Sequence, residues 1–239
     1  MNPESSVASL RPRTDRALYT WAALVAVLIV FAGFARSYYL KGLFGAPALT
    51  GLVHLHGVVM SLWFALFAVQ VWLVARGRTA VHRRLGLAGG AIAIAVIAVG
   101  TLTAITAARL GHTPGPPPKV FLAVPLGEMV VFTALVSLGL AYRHRPAAHK
   151  RLLLLASLSM LTPAIARLPL EFIRGGGIPV YFALTDLCLV ACIAVDTVRQ
   201  RRLHPAFGWG LLFVAGSQGF RLWLSGTPFW DRIATWLIG

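Results

Sequence analysis

The chain has 239 residues, of which 58% are apolar and 12% charged, with a mean hydropathy of +0.76. A soluble domain carries about twice that share of charge, so a soluble globular enzyme is excluded. The 22 Lys and Arg against 7 Asp and Glu leave a formal charge of +15, which in a soluble chain would suggest nucleic acid. Here the basic residues stand at the ends of apolar blocks, where anionic lipid headgroups select them, and nucleic acid is dropped as a partner.

In chain order, seven apolar stretches are each long enough to cross a hydrocarbon slab of about 30 Å as a helix. They are residues 17–34, 50–74, 85–107, 120–142, 152–172, 180–198 and 207–224. The first follows the basic residues Arg11, Arg13 and Arg16 and lacks a small-x-small cleavage site, so it reads as an uncleaved signal anchor. The segments GHTPGPPP at 111–118 and GGGIP at 175–179 cannot continue a helix and mark loops. Cys188 and Cys192 lie four apart inside a span, where a helix cannot close them into an unstrained disulfide, and read as packing residues. The expectation is an all-α polytopic bundle of seven transmembrane helices, one integral membrane domain over 1–239 with a short cytoplasmic tail at 1–16.

Basic residues set the orientation. Fourteen Lys and Arg fall on the side of the N-terminus and of the connections after spans 2, 4 and 6, against eight on the other, which makes the N-terminus cytoplasmic. Tryptophans agree: Trp21, Trp72 and Trp209 fall at the inner boundary, and Trp223, Trp230 and Trp236 at the outer one. An Arg- and Ala-rich composition points to a bacterial source and hence to the inner (plasma) membrane.

The connections RGRTAVHRRL at 76–85 and RHRPAAHKRL at 143–152 repeat with a period of 67 residues. Spans 2–3 and 4–5 thus read as copies of one hairpin. In that register His82 and His149 are equivalent, either capping helix starts among basic residues or acting as ligands.

Ionisable residues inside the spans concentrate in the outer half. At about 1.5 Å per residue, His54 and His56 lie roughly 6–10 Å deep, Glu128 about 12 Å and Asp186 about 9 Å. Arg167 with Glu171, and Gln218 with Arg221, reach the same level from the opposite direction. A charge at membrane depth costs roughly 2.5–3.5 kcal/mol or more, so such residues face a bundle interior or wet cavity and pair with one another. A polar chamber open to the outer face is expected, with Arg167 paired to Glu128 or Asp186, or locally to Glu171 four residues on, and Arg221 snorkelling to the boundary. His54 and His56 point about 200° apart on a helix. His56 shares a stripe with Met60, Trp63, Phe67 and Gln70, a cavity wall, while His54, Gly57, Ser61 and Ala65 form a stripe suited to close helix contact. His56, Glu128 and Asp186, with Met60, are the metal-ligand candidates at this level.

The string HLHGVVMSLWFALFAVQ, with HRRLG at the next boundary, AHKRLLLLAS at the following one and Arg167 beyond, resembles a widespread bacterial family of uncharacterised multi-pass membrane proteins. The likeness covers roughly residues 51–168 and implies a membrane bundle without assigning an activity. A looser likeness is to the two-haem b-type membrane cytochromes, in which alternate helices supply histidine pairs. It implies His82 and His149 as one pair of axial ligands to a b-type haem. For a second pair, span 4 offers Glu128 and Met129 where a histidine would stand.

Three functions follow as expectations. The first is a haem- or transition-metal-binding redox protein, the second a small proton-coupled transporter using Glu128, Asp186 and Arg167, and the third an accessory protein without catalysis. The bilayer and its anionic headgroups at the cytoplasmic face are the expected partners, with a second copy of the chain or a membrane redox partner as further ones. No nucleotide loop, Ser-His-Asp order, cysteine cluster or H-E-x-x-H motif occurs, so no catalytic residue is assigned.

Overall fold

Hydrocarbon offers no hydrogen-bond partner to the backbone, so apolar blocks of this length must satisfy their own amides, and they do so as helices. The structure, a computed structural model, describes the backbone of residues 3–239 and the side chains of residues 16–239. The side chains of Arg11 and Arg13 lie outside the described residues. In chain order come α1 (Pro3–Phe34), a π-helical turn (Ala35–Tyr39), a 3-10 turn (Lys41–Phe44), α2 (Gly51–Ala75), α3 (Thr79–Arg109) and α4 (Pro118–Ala141). They are followed by α5 (Pro146–Ser159), α6 (Thr162–Ile165), α7 (Glu171–Gln200), α8 (Pro205–Ser225) and α9 (Pro228–Ile238). Helices α4, α5, α8 and α9 open on proline, whose missing N–H costs nothing in a first turn. Thr50 and Thr227 cap α2 and α9 through their hydroxyls.

Among the described residues five helices are long and apolar enough to cross a membrane: α1 with its π-helical turn, α2, α3, α4 and α7. The other two expected spans depart from plain crossing helices. The fifth apolar stretch, 152–172, is not one helix, because Pro163 opens a new short helix and the backbone of 166–170 leaves helical geometry before α7 begins. Its first piece, α5, is 14 residues long, about 21 Å, short of the slab on its own. The sixth begins at Glu171, earlier than 180, and the GGGIP segment breaks it only at Gly177, where φ is +63°. Helix α8 matches the seventh stretch in extent, but Ser217, Gln218 and Arg221 dilute its apolarity.

A helix too short to cross on its own is tolerated where neighbouring helices enclose it, and α5 meets that condition. It packs against α4, α7 and α8, and Leu154, Leu155, Ala156 and Ser157 are fully buried. Helix α4 is its main partner and also touches α3, α8 and α9, with Phe132 and Leu135 in the shared core. Helix α1 leans on α2 and on α6, and the second contact is backbone to backbone: a Cβ at Gly33 would overlap the Ala164 carbonyl. Leu87, Ile94 and Leu212 project outward, as residues facing lipid do.

Helix α9 is an addition to the expected spans. Its Trp230 and Ala234 bury against the end of α3 and the start of α4, while Phe229 and Trp236 stay exposed. Three residues fasten it. Arg109 donates twice to the Leu237 carbonyl (3.0 and 2.7 Å), Lys119 reaches Asp231 (3.3 Å) and Thr235 (2.8 Å), and the Trp230 indole donates to the Lys119 carbonyl (2.8 Å).

Candidate functional site

At the end of the bundle where α2, α3, α4 and α5 meet their short connections, the two repeated histidines come together. His82 is the fourth residue of α3 and His149 the fourth of α5, and their ring centres are 6.2 Å apart with planes at 79°. Each ring is held through Nδ1. His149 Nδ1 donates to the Gly139 carbonyl at the end of α4 (2.7 Å). His82 Nδ1 lies 2.7 Å from the side-chain amide of Gln70 near the end of α2. Both rings are half-buried, so they are neither sealed in the core nor free in solvent.

Two residues beyond His149, Arg151 forms a buried bidentate pair with Asp196 of α7, with nitrogen to oxygen distances of 2.9, 2.9 and 2.7 Å. The guanidinium also donates to the Ala147 carbonyl and stacks over Phe207 of α8. The sequence puts Arg151 among the basic residues at the ends of apolar blocks, where headgroups are the expected partner; here its partner is an acid inside the bundle. The available signal was that Asp196 is an acid inside an apolar stretch, which requires a partner. Beside this pair, His204 accepts the Ala206 N–H on Nδ1 and caps α8 (3.1 Å). Burial, and then the nearby Arg151, hold its imidazole below the ordinary value.

In the half of the bundle away from the two histidines, the cation that meets the acids is Arg221, not Arg167. Arg221 Nη1 donates to Glu128 Oε2 (2.8 Å) and to the Val124 carbonyl (3.1 Å), and its other nitrogens reach the Ser217 carbonyl and hydroxyl (both 3.2 Å). The guanidinium lies over Phe182 and is 3% exposed, so it is buried rather than snorkelling. Gly127 makes this possible, because a Cβ there would overlap Arg221 Cδ. Asp186 stands within electrostatic reach of Arg221 and accepts from Gln218 (2.9 Å). Arg167 follows the end of α6, and there its guanidinium donates to the Pro163 carbonyl (2.8 Å) and stacks over Phe34 (4.8 Å).

The two stripes of α2 separate as their spacing implies. Tyr38 packs on Gly57 and donates to the His54 carbonyl (3.3 Å), and Tyr39 bonds Ser61 (2.7 Å), so the His54 stripe is the contact face toward the end of α1. On the other stripe Met60 meets Met129 at Gly100, Trp63 meets Phe132 edge-on at 4.8 Å, and Gln70 meets His82. His56, on that stripe, has a buried Nδ1 without a hydrogen-bond partner and lies near Arg167.

Among the described residues no three His, Cys, Asp or Glu side chains converge, so His56, Glu128 and Asp186 do not form an ion cage. The reason is geometric: Glu128 and Asp186 meet Arg221 and Gln218 of α8, while the charge that acts on His56 is Arg167, which stacks on Phe34 of α1. A groove of about 520 Å³ beside the Arg221 network runs between α4 and α8 and is lined by Gly127, Val130, Phe213, Phe220 and Trp230. It is an apolar slot on the flank of the bundle and not the polar chamber expected there. No protein-family model, no curated protein and no solved structure matches this chain.

Proposed function

We propose that this chain is a seven-span protein of the bacterial inner membrane, N-terminus inside, that binds a b-type haem or a single transition-metal ion between His82 and His149 near the cytoplasmic face. The observation that carries the reading is the meeting of the two repeat-equivalent histidines. Imidazole suits iron, copper, nickel and zinc, and ligating histidines usually donate their second ring N–H to an acceptor, as His149 does to the Gly139 carbonyl, whereas His82 Nδ1 accepts from the Gln70 amide. With ring centres 6.2 Å apart, the two imidazoles are the residues that would hold such a group between them. The bound group would supply one-electron chemistry; the chain's own part is to fix two imidazoles beside a basic face. That face, with Arg76, Arg78, Arg83, Arg143 and Arg145, suits anionic lipid headgroups and an acidic redox partner.

The absorption spectrum and metal content of detergent-purified protein test the reading. A band at roughly 400–430 nm is expected for haem, or else one equivalent of iron, copper or zinc. His82→Ala and His149→Ala should each abolish it. A variant keeping the full signal removes that histidine from the ligand set, and colourless, metal-free protein removes the proposal.

A second reading, proton-coupled transport, has one observation in its favour. Glu128 Oε1 is buried without a hydrogen-bond partner beside Arg221 and Asp186, which is where a transferable proton would be held.

A further inference from the structure

We propose that Gln70 is the positioning residue that decides which nitrogen of His82 carries the proton, and thereby when the histidine pair can accept a metal or haem iron. This deepens the preceding reading and rests on it for the metal, whereas the protonation pattern stands on hydrogen-bond geometry alone.

His149 is the simpler half. A carbonyl can only accept, so the 2.7 Å contact with Gly139 places the proton on Nδ1 and leaves a lone pair on Nε2. His82 meets an amide, which can present either end. Two further neighbours fix the choice. The His82 carbonyl, 3.3 Å from one end of the Gln70 amide, can only accept, and the Gly86 N–H, 3.2 Å from the other, can only donate, in addition to the bond they make with each other along α3. The NH₂ group therefore faces His82, donating both to its carbonyl and, at 2.7 Å, to Nδ1. Nδ1 must accept, and in the neutral ring the proton sits on Nε2.

Two positions equivalent in sequence thus hold opposite tautomers. His149 offers a lone pair at Nε2, and His82 offers an N–H there. A metal binds the lone pair, so His149 is ready and His82 is not. To recruit His82, the proton leaves Nε2, one arrives at Nδ1, and the Gln70 amide turns over so that its oxygen accepts from Nδ1–H. No proton is gained or lost overall. What is given up is the pair of contacts between the Gln70 amide and α3 at His82 and Gly86, so those contacts oppose loading and set its order: His149 first, His82 second.

Gln70→Glu separates the alternatives, because a carboxylate has no donor and accepts from Nδ1–H in every orientation. The test uses full-length, metal-free protein labelled with nitrogen-15 at histidine, in lipid bilayers and alkaline buffer. Solid-state NMR reads each tautomer, with signals assigned through His82→Asn and His149→Asn. Expected are Nδ1–H on His149 and Nε2–H on His82 in the native chain, and Nδ1–H on His82 in Gln70→Glu with His149 unchanged. That variant should also bind Zn²⁺ about tenfold more tightly, the scale of effect usual for a group behind a ligand. Should Gln70→Glu not fold, Gln70→Leu serves instead and should leave His82 as a mixture of tautomers. The same tautomer on both histidines in the native chain, or a His82 tautomer indifferent to residue 70, overturns the proposal. Tautomers as stated in a protein that takes neither haem nor Zn²⁺ leave Gln70 in its role and remove the metal reading instead.

Discussion

Arg167 and Arg221 carry the same group, and only Arg221 meets an acid. The difference lies in their neighbours. Arg221 faces α4 across Gly127, where no Cβ blocks it, while Arg167 lies beyond the end of α6 and turns toward Phe34. Removing one partner of a buried pair strands the other, at a cost of about 3–5 kcal/mol. Glu128→Gln and Arg221→Met should each lower thermal stability in detergent by an amount on that scale, and Glu128→Leu with Arg221→Met together should recover most of it. Single and double variants that are equally mild would mean that the pair contributes nothing. His204 gives a pH prediction. Its folded imidazole is depressed below the ordinary value near 6.5, so the unfolded chain takes up the proton first as pH falls. Its stabilising contribution is complete above about pH 6.5 and is lost as pH falls from there through the folded value, where protonation also breaks the Nδ1 cap on Ala206. Asn can cap in the same way, so His204→Asn should keep α8 and flatten that part of the stability profile in urea titrations across pH.

Among elements, α2 was the most legible, because a straight helix turns residue spacing directly into faces. The His54 and His56 stripes, and the equivalence of His82 with His149, needed nothing beyond periodicity and repeat. Helices α5 and α6 were not legible, since an apolar run broken by Pro163 and Pro169 looks like a span until the helices that enclose it are known. The partner of Glu128 was hidden for a related reason: choosing Arg221 over Arg167 depends on where a neighbouring helix stops. Helix α9 escaped because 11 residues are too few to cross, although Phe229, Trp230, Ile233 and Leu237 do follow helical spacing. The contact of Gly33 with the Ala164 carbonyl yields a test of the α1–α6 packing. Backbone cannot move aside as a side chain can, so Gly33→Leu should cost about 1–3 kcal/mol in thermal unfolding, whereas Gly90→Leu, where a Cβ meets nothing within 4 Å, should cost far less.

For the whole molecule, orientation fixes which compartment the histidine pair faces. Reporters active only in the cytoplasm should work when fused after residues 80, 147 and 203, and periplasmic reporters after residues 113 and 177; the reverse pattern would place His82 and His149 outside. The buried pairs also join residues distant in the chain: Arg151 and Asp196 are 45 residues apart, and Glu128 and Arg221 are 93 apart. Ribosomes deliver the amino-terminal member first. At about 5–20 residues per second, Glu128 waits roughly 5–20 seconds for its arginine, and Arg151 a few seconds for its aspartate. During that interval α4 and α5 each carry a group that lipid rejects, so neither has reason to leave the shelter of the insertion machinery alone. Release into the bilayer is therefore a late and joint event, timed by the synthesis of α8, and a nascent chain arrested before residue 221 should stay at the translocon and be a preferred target for membrane proteases.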